Sequence, residues 1–474
     1  MIKLASAISA RWLSRSATAS LHPIVLLLMV GLSQTVLPNT IRVPANQPTI
    51  QAAIDAASPG DTVLVSPGVY TENLNFKDKR LVVASHFLAT GDTAFISQTI
   101  IDGNRSGPVV TFQGFEPAGA ALVGFSIRNG LGSGDFPNSR GGGIHIAVVA
   151  QPLIRYCYIF GNETSGTSNR GGGIYASSQT AVISNCRIYS NTSENGAGIS
   201  IGNGALGAVV DSCSIFSNTG SGIQISYSEA VRVSRTKIYG NSDAGIRNAL
   251  SNQTSIIHCT ISGNGSAGFK HEFSPSQGLD TLFILNSIIH ANAQSYDVDN
   301  DTTLFASYSI IESGSGKLWF GQGGKDVDPQ FANALYELSS TSPAIDAGDP
   351  NSPLDPDNTI ADMGTHFYQQ PTAIEERDEP RPTGFALQQN YPNPFNPSTV
   401  ISFELPVRSI GQLAIYATTG QLVRTLISGE YAAGLHHVAW DGRDDKGKRV
   451  ASGTYFYQIS AGVFQSTKHM LFLK

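Results

Sequence analysis

The sequence predicts an all-β chain, a right-handed parallel β-helix solenoid with an N-terminal cap helix, followed by a small Ig-like β-sandwich. Three observations carry this. A repeat punctuated by Gly and Asn runs from Gly141 to Asn292. Glycine supplies 49 of 474 residues while charged residues make up only 14%, against about 25% in an average soluble domain. The last 89 residues, 386–474, break into about seven short runs separated by turn signals. The 41% apolar content excludes a disordered chain. The formal charge of −6 gives no basic footprint, which excludes nucleic acid as an expected partner.

Residues 1–33 read as a signal peptide. Lys3, Arg11 and Arg15 precede the apolar run Ile24 to Leu32, and Gly31 and Ser33 are the small residues of a cleavage site after Ser33. The run holds nine residues, where about 20 would span a bilayer. The expectation is export through the periplasm, to the medium or the outer-membrane surface, with no transmembrane segment in the mature chain. In PTIQAAIDAA, Ile50, Ala53, Ile54 and Ala57 share one helical face. A short helix here would cover the open end of a strand stack. TVLV from Thr62, LVVAS from Leu81, TIID from Thr99 and VVTF from Val109 then lead into regular coils.

The repeat copies open on GGGIHI, GGGIYA, GAGISI, GSGIQI, AGIRN and AGFKH. They close on Asn162, Asn191, Asn218, Asn241, Asn264 and Asn292, spaced 29, 27, 23, 23 and 28 residues apart. Each copy holds three short β-branched runs, so one copy is one three-stranded coil. No leucine ladder is present to make a horseshoe. Alternation puts Ile174, Ile199, Ile223, Ile246 and Phe269 in the core. Cys157, Cys186, Cys213 and Cys259 share a second inner slot with Thr236. Coils about 4.8 Å apart set these thiols wide of disulfide geometry, and they read as free, buried small hydrophobes. The closing Asn column reads as a structural amide ladder, with Asn also suited to the left-handed backbone of a sharp turn.

IQAAIDAASPGDTVLVSPGVYTEN, from Ile50, resembles the entry segment of secreted pectate-lyase-like β-helix proteins. DVDPQFANALYELSSTSPAIDAGDP, from Asp326, and ADMG at Ala361 are similar to their closing segment. The resemblance covers roughly residues 40–368 and implies the fold. Its members include polysaccharide lyases, glycoside hydrolases, epimerases and proteins without a known reaction, so it does not choose an activity. Residues 369–385 read as a charged, Pro-bearing linker. Residues 386–474 closely resemble the C-terminal sorting domain of proteins exported by the type IX secretion system, through NYPNPFNPST, IYATTGQLVRTL, WDGRDDKGKRVASGTYFYQI and KHMLFLK. That resemblance implies the type IX secretion machinery as a partner. Asp441, Asp444 and Asp445 within it read as a hairpin turn, not metal ligands.

Beside each core Ile of the first strand stands an outward residue. Taken coil by coil these are His145, Tyr175, Ser200, Gln224, Arg247 and Lys270. Such a column matches a linear glycan, with aromatic faces for sugar C–H surfaces and Arg for a uronate carboxylate; an ordinary solvated strand face is the plain alternative. Arg247 and Lys270 are the candidates for a lyase base, a role that needs a strongly lowered pKa. Glu272 and Asp243 are the carboxylates nearest them, and no pair in the column suits a hydrolase. Phe160, Tyr189, Phe216 and Tyr239 form a second column, which points outward by strict alternation; a bend at the turn, the expected case, would pack it inside. Asp297, Asp299 and Asp301 read as a solvated loop. Asp349, Asp355, Asp357 and Asp362 are spaced for a structural calcium clip, or else lie in a Pro-stiffened turn capping the stack. The expected function is polysaccharide binding on the first-strand face. A polysaccharide lyase, or less readily a hydrolase or epimerase, on that face is the first alternative, and a structural stalk or adhesin the second.

Overall fold

The computed structural model describes residues 38–473 apart from 115, 117, 134–139, 167–168, 178–179, 203, 274–279, 300–302, 371–383 and 463. The expected signal peptide and residues 371–383 of the expected linker lie outside the described residues. Among those residues, three parallel sheets of nine, eleven and ten strands carry the first, second and third strand of each coil. Register is unbroken through the repeat. Ile144 pairs with Ile174, Ile199, Ile223, Ile246 and Phe269 in turn, and Ile159 with Ile188, Ile215, Ile238 and Ile261. These side chains are fully buried in one continuous core.

The helix Ile50–Ala56 covers the first coil with Ile50, Ala53 and Ile54. Its ends are charge-matched: the Glu72 carboxylate accepts from the Ile50 and Gln51 N–H groups, and the Lys79 ammonium donates to the carbonyls of Ile54, Asp55 and Ala57. That places a negative group at the N-terminus and a positive one at the C-terminus, where the helix dipole favours them. A short excursion, Phe87–Thr90 and Ala94–Gln98, was not legible in the sequence. Its Phe87 and Ile96 cover Ala84, Ala121 and Val123 on the outer side of the second strands.

The asparagine column is a continuous buried ladder. Each Nδ2 donates to Oδ1 of the next Asn at 2.8–3.1 Å. It also donates to a third-strand Ile carbonyl one coil back. Each Oδ1 accepts in addition from the preceding Asn main-chain N–H at 3.0–3.2 Å. The left-handed residue of the turn is the one before each Asn: Gly161, Ser190, Ser217, Gly240, Gly263 and Ala291. Asn is therefore fixed by its amide, not by its backbone. The ladder also fixes the glycine that precedes each core residue. A Cβ on Gly173 would lie 2.6 Å from the Gly198 carbonyl oxygen and 3.0 Å from Asn191 Nδ2.

The four cysteines are free and buried, as the slot predicts. The slot continues as Thr236, Ser287 and Ser309, and each side chain accepts from the N–H one coil back, as Cys186 Sγ does from Cys157. Burial pushes the Cys259 thiol up to about 12, and those of Cys157 and Cys186 well up, so these thiols are unreactive in the fold.

The closing segment does not cap the stack, contrary to the expected Pro-stiffened cap. Trp319 covers the final core, packing edge-on to Phe269 and Tyr296. Residues 338–368 instead double back along the outside, where Leu338, Ala344 and Met363 bury Ile288 and Ile310. Ile288 and Ile310 are outward positions of the third strands, and this apolar pair recruits the cover.

Residues 386–472 form seven antiparallel strands in sheets of three and four, around Trp440, Phe403, Tyr457 and Phe472. The Asp441 to Gly447 stretch is a turn, as expected. Asp444 Oδ1 accepts from the Lys446 and Lys448 N–H groups, and Asp441 pairs with Arg424 at 2.7 Å. Among the described residues no helix is long and apolar enough to cross a membrane.

Replacing Asn218 by Ala strips partners from Asn191, Asn241 and the Ile188 carbonyl together. The helix should lose about 2 kcal/mol or more, from the cost of buried unsatisfied groups, read as a lower urea midpoint. An unchanged midpoint would show the ladder to be passive.

Candidate functional site

The first-strand column exists in the expected register, since His145, Tyr175, Ser200, Gln224, Arg247, Lys270 and Asp297 face one another on successive coils. It is not uniformly open. Tyr175, Ser200 and Gln224 are 2%, 0% and 4% exposed. This corrects the expected solvent-facing strip, because larger groups stand over its middle. Arg140 donates to the Tyr175 hydroxyl at 2.6 Å, and its guanidinium lies 4.9 Å from the Tyr175 ring centre. Arg170 reaches the outer side of the next coil, where its Nη1 would lie 3.8 Å from a Cβ on Gly202. His145 packs edge-on to Tyr175, and burial, with the Arg140 charge, holds its imidazole below the ordinary range.

The sequence reading missed Arg140 and Arg170 because they precede the strands. A signal was present: both open the string RGGGI, and they pair with each other across adjacent coils. With Arg247 and Lys270 they make a cationic strip along this face. Among the described residues, Glu272 and Asp297 stand at one end of it. Glu272 accepts from Arg247 Nη2 at 2.8 Å and lies 3.6 Å from Lys270, whose ammonium meets Asp297 at 3.0 Å.

This arrangement argues against both candidate bases. The Asp297 hydrogen bond raises the Lys270 pKa, opposite to the shift a lyase base needs. Arg247 is engaged through Nε and Nη2 with Glu272. Glu272 and Asp297 are joined by Lys270 and do not face a common open point, and Asp243 is held by the Ser221 hydroxyl. Asp297 lies within the strand Gln294–Val298 and not in a loop, Asp299 follows that strand, and Asp301 lies outside the described residues.

The third-strand aromatics point outward, which corrects the expected inward packing. Phe160, Tyr189, Phe216 and Tyr239 stack with centroids 4.9–5.0 Å apart and planes within 10°. Because each ring lies against the next, the faces a sugar would need are occupied, and ring edges meet solvent. Tyr336 of the closing segment packs on the last of them, Tyr239.

The four aspartates assigned to calcium are used otherwise. Asp349 Oδ1 accepts from the Asn351 main chain and amide, and Asp355 Oδ2 from the Asp362 N–H. Asp357 accepts from Thr359 and Gln370, and Asp362 from the Asp346 and Tyr368 N–H groups. These carboxylates tie turns, and among the described residues no group of three or more His, Cys, Asp or Glu is placed to hold a metal. Burial, with the Asp355 and Asp346 charges adding, raises Asp362 to about 6.

A right handed beta helix region model matches residues 135–288 and 167–329, and an FlgD Ig-like domain model matches residues 396–463. No curated protein matches. Among solved structures, the chain is similar to the pectate lyase Pel9A at 15% identity, covering 70% of this chain and 97% of that one, with a TM-score of 0.34. Its C-terminal part is similar to FlgD from P. aeruginosa, at 28% identity over 16% of this chain and 57% of that one, TM-score 0.14. It is also similar to PorZ, a surface component of the type-IX secretion system of Porphyromonas gingivalis, at 22% identity over 19% of this chain and 12% of that one, TM-score 0.14. At these scores the likeness assigns neither substrate nor partner.

The raised Asp362 carries more protons folded than unfolded between about pH 4 and pH 6. Its share of stability is therefore present at low pH and lost as pH rises through about 6. The melting temperature of Asp362→Asn minus that of wild type should be more positive at pH 7 than at pH 4.5; equal differences would refute the buried-carboxylate account.

Proposed function

We propose that this chain is an exported surface protein that binds polysaccharide along the outer face of its first-strand sheet, delivered by its C-terminal sandwich. The observation that carries the binding reading is the strip of Arg140, Arg170, Arg247 and Lys270 over a polar column in register coil by coil. A coil rises about 4.8 Å, close to the length of one sugar ring, so a linear glycan lying along the axis would advance about one coil with each residue. The rival platform is weakened by its own geometry, since the third-strand rings stack on one another. Binding without turnover is favoured over a lyase because Lys270 and Arg247 are both held by carboxylates. The stalk reading, an adhesin without glycan contact, leaves the cationic strip unexplained.

Delivery rests on sequence: the charge and apolar pattern of residues 1–33, and the NYPNPFNPST and KHMLFLK strings of the sandwich. The FlgD Ig-like match to residues 396–463 supports the sandwich itself. The type IX machinery would then be the partner of this module.

In affinity electrophoresis against neutral and uronate polysaccharides, at least one should retard the mature protein, and Arg247→Ala should weaken that retardation. No retardation by any glycan sinks the binding claim, and ultraviolet-absorbing unsaturated products from a uronate polymer would establish the lyase instead. A chain truncated at about Glu379 should stay in the periplasm; normal surface delivery of that truncate would refute the sorting role.

A further inference from the structure

The outward positions of the second strands turn aromatic at the end of the stack. Arg232, Ser255, Phe283 and Phe305 stand in one column on successive coils. Leu282, Ile284, Leu304 and Ala306 are buried in the core, so alternation turns Phe283 and Phe305 out. Their rings stack at 5.4 Å, 18° from parallel, and remain 43% and 50% exposed. Beyond them the chain crosses the last coil. Trp319 turns inward to cover the core, and its neighbour Leu318 is left 88% exposed. A cavity of about 380 Å³ opens at this corner, lined by Phe305, Ala306, Leu318, Trp319 and Gly321 among others and by no charged residue.

The outward apolar pair on the third strands, Ile288 and Ile310, is covered by the closing segment. Among the described residues, the pair on the second strands keeps an open apolar surface beside its cavity. The occupant this surface fits is the same surface of a second copy. It carries both a projection and a recess, since the exposed Leu318 stands at the rim of the cavity. A twofold axis beside that rim lets the Leu318 of each copy enter the cavity of the other, and such an isologous contact closes at two copies. The charge pattern agrees. The chain carries a net charge of −6, yet the lining is uncharged, and Lys317, next to Leu318, is turned to the Tyr296 ring at 5.4 Å. Two copies therefore meet here without the repulsion that like charges would bring. The area also agrees. Phe283, Phe305 and Leu318 leave roughly 300 Å² of apolar surface open in each copy. Two such surfaces, at the usual apolar share of about 57%, make an interface of about 1,000 Å² in total, the least that a specific contact needs.

We propose that this chain forms a weak twofold dimer through the C-terminal end of its β-helix, with Leu318 of each copy seated in the cavity beside Phe305 of the other. An interface of this size sets a dissociation constant of about 10–100 μM. The dimer goes beyond the glycan reading and stands independently of it.

The test is sedimentation equilibrium of the mature full chain from about 1 to 300 μM, a range that brackets this constant. Wild type should pass from monomer to dimer within it. Leu318→Asp and Phe305→Lys alter exposed side chains, so each should melt as wild type does when dilute. Each alone should weaken dimerisation about tenfold or more, by setting an unpaired charge against an apolar surface. Mixed in equal amounts, the two variants should dimerise again. In the mixed pair the carboxylate introduced in one copy meets the ammonium introduced in the other, and the second contact of the twofold pair is native. Should Phe305→Lys fail to fold, Leu318→Met should dimerise as wild type does while Leu318→Asp does not; an equal loss in both overturns the proposal. A wild type that stays monomeric throughout assigns this surface to a different partner and overturns the dimer. A dimer that survives Leu318→Asp, or a mixture that associates no better than the separate variants, overturns it as well. Polysaccharide retardation plays no part in these outcomes, so failure of the glycan reading leaves the dimer standing, and the reverse.

Discussion

Hydrogen bonding between identical positions of successive coils is the constraint on which this molecule rests. A three-stranded coil cannot bury its own apolar face, so stability comes from stacking, and stacking works only in strict register. The asparagine ladder enforces that register at the sharpest turn. Its amides leave no slack: each bridges a carbonyl one coil back and an amide one coil on. The glycine before each core residue follows from the same packing, because a side chain at Gly173 or Gly198 would strike the next coil's carbonyl and the ladder amide. The Gly and Asn that punctuate the repeat are thus two halves of one contact.

Register also decides what polar groups can do inside the stack. Cys157, Cys186, Cys213, Thr236, Cys259, Ser287 and Ser309 occupy one slot, and thiol and hydroxyl serve equally as acceptors for the N–H above. Near the last coils the inner column turns polar, where Asn248 meets His271 and His271 meets Thr303. Burial keeps that imidazole below its ordinary range, which suits a neutral ring sharing hydrogen bonds on both nitrogens.

On the outside the same stacking gives different results on different sheets. Along the third strands it brings aromatic rings face to face, which stabilises the coils and uses up the surfaces a ligand would seek. Along the first strands it sets arginines near one another, and Arg247 meets the carboxylate of Glu272. The first arrangement stacks ring on ring, whereas the second gathers like charges, and that contrast is why the binding proposal is placed on the first-strand sheet. In the closing segment, aspartates meet main-chain N–H groups of their own turns.

The fold and its columns were legible in the sequence, because period-two alternation and a one-residue slot per coil need no knowledge of distant contacts. The Ile core, the cysteine slot, the asparagine ladder, the cap helix at Ile50 and the seven-strand sandwich all follow from local pattern. Tertiary structure alone decided which outward residues stay open. Tyr175 and Gln224 occupy equivalent places to Arg247, yet Arg140 and Arg170 come to lie on their side of the sheet from turns whose course no alternation rule fixes. The same holds for the closing segment, whose route back over Ile288 and Ile310 was set by exposed apolar side chains many residues away. Strand chemistry is periodic and so can be read along the chain; the path of a loop is set by whatever surface it can bury, and that surface exists only once the coils have stacked.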